Sequence, residues 1–216
     1  MTEIKLQGKA YPFRHNYDQG DVFDPYIDTI KTYSIKKGKI VDIGAHYGTM
    51  TLILNDNLPN TGIICFEAHS GNAEILKENL QLNNLQAEVN EYAIADYNGD
   101  GHLRIMEGGS PVYRLQADVD HIPVAVRTLD SFNLKGVSFI KVDIEGAELL
   151  MLKGAVKTIK TNTPVIYLEH HWDLCDREEL YTFIETLNYE LVHLNGIGYI
   201  HGDTNQYLLL PKETTK

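Results

Sequence analysis

The sequence predicts an α/β fold: an open, mostly parallel sheet, helices on both faces, and an antiparallel strand pair at the end. Three observations lead there. Short apolar runs alternate with helical stretches almost throughout, the pattern of successive βα units. At residues 39–48 an apolar strand runs into Asp42 and then a turn holding Gly44 and Gly48, after which a helix begins. The last two apolar runs flank Gly196-Ile197-Gly198 with no helix between them, so they pair antiparallel.

Each element follows in order. Residues 24–35 read as a helix with Tyr26, Ile27 and Ile30 on one side, stopped at Lys36-Lys37-Gly38. Residues 40–43 form the first core strand, and 49–55 a short helix closed by the turn around Pro59. Residues 62–66 are a continuous apolar run ending at Glu67, as a buried parallel strand should be. A helix over 73–83 and a third strand over 87–95 come next. The Asn98-Gly99 turn then returns the chain as a hairpin strand over 101–106, with another short strand at 124–127. The fourth core strand spans 139–142, followed by a helix over 146–160. A fifth strand (164–168), a helix (178–187) and the closing pair (189–194 and 206–210) complete the chain. No repeat or linker interrupts it. A single domain is expected, with residues 1–38 as an N-terminal lid or helical extension and 39–216 as the core.

The chain has 216 residues, enough to bury a proper core, and its 43% hydrophobic and 23% charged shares suit a globular protein. A net charge of −11 disfavours nucleic acid as a partner, because phosphate binding rests on Lys and Arg. The two cysteines, Cys65 and Cys175, lack metal-ligand spacing and form no disulfide framework. No stretch has the length and apolarity of a membrane span or signal core. A soluble, cytoplasmic protein in a reducing compartment is expected.

The glycine turn is built to hold a small ligand, because residues without Cβ let backbone approach closely. A dinucleotide needs G-x-G-x-x-G, and the third glycine is absent. Here the pattern is Asp42-x-Gly44-x-x-x-Gly48, with Ala45-His46-Tyr47 between the glycines. Asp42 at the strand tip repels phosphate and suits a cationic amine. A ligand with an ammonium, a sulfonium and no phosphate fits, and S-adenosylmethionine is one. Glu67 stands about 20 residues past the turn, where a carboxylate takes both hydroxyls of an adenosine ribose. The end of the third strand, from Tyr92 to Asp96, is where an adenine would lie. Asp96 either accepts from its amino group or starts the Asn98-Gly99 turn.

Acids and histidines gather at the later strand ends, where α/β sheets bind ligands. Lys141 and Asp143 share one strand face, with Glu145 just beyond the tip. Glu145 either joins the chemistry or caps the helix that follows, and Glu148 is read as structural. After the fifth strand comes Glu169-His170-His171-Trp172. Alternation sends Glu169 and His171 one way and His170 the other. Asp143, Glu145 and His170 are the candidate catalytic residues. Asp143, Glu169 and His170 are a candidate site for Mg²⁺ or Mn²⁺. The Tyr11–Asp18 segment either covers the ligand or packs on the sheet edge. The Gly108–Tyr113 loop and Trp172 are placed to frame a second substrate.

Together these segments resemble the FkbM-type methyltransferases, a class I, Rossmann-like, S-adenosylmethionine-dependent family. The resemblance runs from about Ile40 to Glu169. It rests on Val41-Asp42-Ile43-Gly44-Ala45-His46-Tyr47-Gly48, Phe66-Glu67-Ala68 and Arg127-Thr128-Leu129-Asp130-Ser131-Phe132. Its most specific part is Phe139-Ile140-Lys141-Val142-Asp143-Ile144-Glu145-Gly146-Ala147-Glu148, followed by Leu152-Lys153-Gly154-Ala155. The resemblance implies O-methylation of a sugar, glycan or hydroxylated small molecule, with Asp42, Gly44, His46 and Glu67 on the cofactor and Asp143 facing the transferred methyl. The expected reaction is in-line displacement at the sulfonium methyl by an acceptor hydroxyl, helped by a base or a divalent metal. A nicotinamide-dependent oxidoreductase and a non-catalytic nucleotide-binding module are the alternatives.

Overall fold

The computed structural model describes residues 2–14, 21–22, 24–34, 36–105, 113–116, 122–171, 175–194 and 204–212. In chain order the elements are β1 (Thr2–Leu6), β2 (Lys9–Phe13), β3 (Asp21–Val22), α1 (Ile27–Tyr33), β4 (Gly38–Ile43), α2 (Thr49–Asn57), β5 (Asn60–Phe66) and α3 (Ser70–Leu82). Then come β6 (Ala87–Asn90), β7 (Ala93–Ile94), β8 (Gly99–Ile105), β9 (Tyr113–Gln116), β10 (Ile122–Arg127) and a 3₁₀ turn at Leu129–Phe132. The rest is β11 (Val137–Val142), α4 (Glu148–Lys153), α5 (Val156–Asn162), β12 (Val165–His171), α6 (Arg177–Thr186), β13 (Tyr189–His193) and β14 (Thr204–Pro211).

Seven strands make the main sheet in the order β13-β14-β12-β11-β4-β5-β6. The five from β12 to β6 run parallel, and β14 and β13 join antiparallel. Alternation along the strands builds two cores. Val41, Ile43, Ile64, Phe66, Ile140, Val142 and Leu168 face Met151, Leu152, Ile159, Leu180 and Ile184 of α4–α6. Ile40, Ile63, Cys65, Phe139 and Tyr167 face α1–α3 and the N-terminal hairpin. The helix after β4 thus covers one face and those after β11 the other. The connections diverge between these neighbouring strands, and such a point opens a crevice at the strand ends. No helix among the described residues is long and apolar enough to cross a membrane.

Three elements differ from the sequence expectation. The strand expected over 87–95 is two: β6 ends the main sheet, and β7 pairs with β10 in a second sheet, β7-β10-β8-β9. The helix expected over 146–160 breaks into α4 and α5 at Gly154, where a Cβ would fall 2.0 Å from the Ala95 carbonyl oxygen. Asp130 starts α5 afresh, its carboxylate accepting from the Lys157 and Thr158 backbone N–H groups at 2.9 and 2.6 Å. Helix α1 is shorter than residues 24–35, because the Asp24 side chain accepts the Tyr26 N–H (2.7 Å) and holds a turn before it.

The N-terminal segment forms a hairpin, turning at Gln7 and Gly8 with φ of 52° and 77°, as a two-residue loop requires. Tyr11 and Phe13 are buried. Tyr11 donates to Asp56 at 2.6 Å, Lys9 pairs with the same carboxylate, and the Arg14 N–H donates to Asn79 at 2.7 Å. Residues 11–14 are therefore fastened to α2 and α3 and stand away from the crevice. His15–Asp18 of that segment, residues 108–112 of the loop, Trp172 and Gly196–Gly198 lie outside the described residues.

Candidate functional site

A cavity of about 270 Å³ opens at the carboxyl ends of β4, β5 and β11. It falls just below the usual range of about 300–1,000 Å³ for small-molecule sites. Its first wall is the β4–α2 turn. The Gly44 and Ala45 N–H groups donate to the Phe66 carbonyl (2.9 and 3.1 Å), and the His46 N–H donates to Glu67 Oε2 at 2.8 Å. Glu67 Oε1 accepts the His69 N–H at 2.9 Å. The Glu67 carboxylate is thus buried, aimed by two backbone donors, and part of the cavity lining. Burial raises its pKa, and the His69 and His46 N–H bonds oppose that rise. Each oxygen keeps acceptor capacity for a ligand hydroxyl.

The glycines serve the chain's own packing. Gly44 has φ of 76°, and a Cβ there would lie 1.8 Å from the Asp143 carbonyl oxygen. Gly48 has φ of 93°, and its Cβ would meet the Leu76 side chain at 2.7 Å. Gly44 lines the cavity and Gly48 does not. The open backbone read from sequence as room for a ligand is largely room for β11. His46 lines the cavity in a left-handed conformation (φ 49°), its ring on Tyr47. Ala68 and Tyr92 also line it.

Two expected cofactor contacts are corrected. Asp42 is fully buried beneath the cavity rather than on its wall. One oxygen accepts from the Thr51 hydroxyl (2.6 Å), and the other faces Lys141 at 3.4 Å. Lys141 holds the place beside Asp42 expected from sequence for a ligand ammonium. Asp96 is exposed and outside the lining, since the chain has by then crossed into the second sheet through β7.

Lys141 is the centre of charge. It is buried, with Asp42 at 3.4 Å, Asp143 at 3.5 Å and the Gly44 carbonyl accepting from it at 2.6 Å. Desolvation works against its charge, but Asp42, Asp143 and Glu169 outweigh it and raise the pKa. Lys141 stays an ammonium.

The second wall carries Asp143 and Glu145. Glu145 holds a left-handed backbone (φ 55°), a strained conformation for a non-glycine residue. Its Oε2 lies 3.1 Å from His171 Nε2, while His171 Nδ1 bonds Glu148 Oε1 at 2.9 Å. Burial disfavours the His171 charge, but Glu148 and Glu145 reverse this and lift its pKa to about 9. Glu169 is pushed up to about 8, by burial first and Asp143 second.

His170 is corrected as a catalytic and metal candidate. It faces the other side of β12, fully buried, with Nε2 donating to the Cys175 carbonyl at 3.1 Å. The expected Asp143–Glu169–His170 set is therefore not assembled. The structure brings Asp143, Glu145 and His171 together instead, their ligating atoms within 4.8 Å of one another. The reason is that β12 continues through His171, so strict alternation still holds there. That alternation was visible in sequence. Glu148, read as structural, was missed as the anchor of His171, and Lys141 as the common counter-ion.

The cavity thus has a turn that aims a buried carboxylate on one side and Asp143 and Glu145 on the other. The model of the Methyltransferase FkbM domain matches residues 42–208. The chain belongs to the FkbM methyltransferase family. "Methyltransferase 1" of Beauveria bassiana (strain ARSEF 2860) is 25% identical to this FkbM chain over 164 residues, covering 63% of the chain and 61% of the relative. The solved structure of Methyltransferase FkbM from Methylobacillus flagellatus KT aligns with a TM-score of 0.58 at 20% identity, over 80% of this chain and 43% of that one. The Pyrococcus abyssi tRNA (uracil-54, C5)-methyltransferase, solved with S-adenosyl-L-homocysteine, aligns with a TM-score of 0.52 at 15% identity, over 96% and 43%. These likenesses establish the class I methyltransferase fold. The chain spans less than two thirds of the length of each of these three relatives.

Proposed function

We propose that the chain is an S-adenosylmethionine-dependent O-methyltransferase acting on a hydroxyl of a sugar, glycan or hydroxylated small molecule. The observation that carries this is the pairing, in one cavity, of the aimed Glu67 carboxylate with Asp143 and Glu145, which His171 backs from outside the lining. The residues present fit such a cofactor. Glu67 suits a ribose diol, and the apolar lining of Phe66, Tyr92, Ile94 and Leu103 suits a flat base. When bound, the cofactor supplies a methyl group on a positively charged sulfur.

The chain's residues then have separate duties. Glu67 accepts from the cofactor's hydroxyls. Lys141 fixes the Gly44 carbonyl and Asp143, setting the spacing of the two walls. Asp143 and Glu145, both lining the cavity, face the acceptor and take the hydroxyl proton or hold a cation that acidifies it. The net charge of −11 favours a non-nucleic-acid acceptor.

The test is transfer of labelled methyl from S-adenosylmethionine to a panel of free and glycan-linked sugars. Label in at least one sugar supports the reading, and transfer to RNA alone contradicts it. Glu67→Gln is expected to weaken S-adenosylhomocysteine binding by ~10–100-fold, as loss of a charge-assisted hydrogen bond costs about 1.5–3 kcal/mol. Calorimetry checks this, and unchanged affinity would remove Glu67 from the cofactor site.

A further inference from the structure

We propose that Asp143, Glu145 and His171 form a binding site for a divalent first-row transition ion such as Mn²⁺, with Glu148 as the outer group that orients His171. This deepens the reading above, because the site lies on the acceptor wall of the same cavity. Three observations from separate parts of the chain meet here.

The first is placement. Asp143 follows the tip of β11, Glu145 sits two residues on in the turn, and His171 ends β12. Two carboxylates and one imidazole present ligating atoms within 4.8 Å of one another. Two atoms on one ion at about 2.0–2.2 Å each lie no more than about 4.4 Å apart, so only a few tenths of an ångström of closure brings this set onto a shared ion. A mixed oxygen and nitrogen set favours a first-row transition ion over Ca²⁺. The left-handed backbone of Glu145 turns its side chain toward His171, with Oε2 3.1 Å from Nε2.

The second is the support behind the histidine. Metal-binding imidazoles usually donate their other ring N–H to a carboxylate, which fixes tautomer and orientation. His171 Nδ1 does so, to Glu148 Oε1 at 2.9 Å, leaving Nε2 toward Glu145 and Asp143. Glu148 is fully buried, and Oε1 is held in turn by the Gly146 N–H at 2.9 Å. Its Oε2 makes no hydrogen bond among the described residues. A fully buried, incompletely satisfied carboxylate is costly unless positive charge lies close by.

The third is the balance of charge. Asp42, Asp143, Glu145, Glu148 and Glu169 gather around Lys141 and His171, and Lys141 is the one cation that remains when His171 Nε2 is an unprotonated ligand. Lys141 is already shared between Asp42 and Asp143. A divalent cation offsets the excess and stands beside the cavity, where it would make an acceptor hydroxyl more acidic.

The experiment uses the full chain, stripped with a chelator and titrated with MnCl₂ while free Mn²⁺ is read by electron paramagnetic resonance. One saturable site is expected in the wild type. His171→Ala and Glu145→Gln should each weaken it at least tenfold, and Glu148→Gln by ~10–100-fold. Absence of saturable binding by the wild type overturns the proposal, and so does binding that survives in folded His171→Ala and Glu145→Gln proteins. Should a variant fail to fold, the wild-type titration and the remaining variants decide. Parallel S-adenosylhomocysteine calorimetry in chelator separates the two readings. Homocysteine-nucleoside binding without Mn²⁺ binding removes the metal and leaves the methyltransferase reading. Mn²⁺ binding without it does the reverse.

Discussion

Lys141→Met should lower the melting temperature by roughly 6–20 °C. Removing one partner of a buried ion pair typically costs about 3–5 kcal/mol, and for a chain of this size each kcal/mol shifts melting by about 2–4 °C. The cost is high here because the ammonium answers several groups at once. Asp42 is fully buried and one of its oxygens has no hydrogen bond, so its compensation from Lys141 is Coulombic. The Gly44 carbonyl also loses its 2.6 Å donor. Adding Asp42→Asn should restore a large part of the loss, because the amide keeps an acceptor for Thr51 and needs no counter-ion. Differential scanning calorimetry of the two single variants and the double variant measures the coupling. A Lys141→Met protein melting within ~2 °C of the wild type would show that this cation is not what holds the acids in place.

Gly44→Ala should be the more damaging glycine replacement in the β4–α2 turn. A left-handed backbone alone costs an L-residue about 1–2 kcal/mol. At Gly44 the new Cβ would also sit 1.8 Å from backbone oxygen of Asp143, which cannot swing aside as a side chain does. The tips of β4 and β11 would have to part, breaking the 3.2 Å bond from the Asp143 N–H to the Ile43 carbonyl. The expected result is a loss of at least 3 kcal/mol in stability or outright misfolding. Two other glycines calibrate this. Gly48→Ala meets only the end of the Leu76 side chain at 2.7 Å, and Gly8→Ala (φ 77°) meets nothing within 4 Å. Denaturant unfolding should therefore rank the damage as Gly44, then Gly48, then Gly8. Equal costs at all three would mean that backbone conformation alone matters and the strand contact does not.

This ranking also explains what sequence could and could not give. The alternation of apolar runs and helical stretches named the sheet, its parallel centre and its antiparallel end, because those depend on local periodicity. The place of Glu67 on the cavity wall was legible for the same reason: it ends a buried parallel strand. Asp42 was misread because its partner, Lys141, is 99 residues away in sequence and its neighbour only through strand pairing. His170 and His171 were separable by alternation, yet choosing between them required knowing how far β12 continues, and pairing with Asn205 and Thr204 decides that. The break at Gly154 was invisible for a similar reason. It answers the Ala95 carbonyl, a contact between distant segments.

The central claim is that the cavity between the β4 turn and the Asp143 wall receives an adenosyl sulfur compound. Calorimetric titration of the chain with S-adenosylhomocysteine, and separately with NAD, addresses it most directly. Saturable, one-to-one heat with S-adenosylhomocysteine and none with NAD is the predicted result. Heat with NAD and none with S-adenosylhomocysteine would contradict the account.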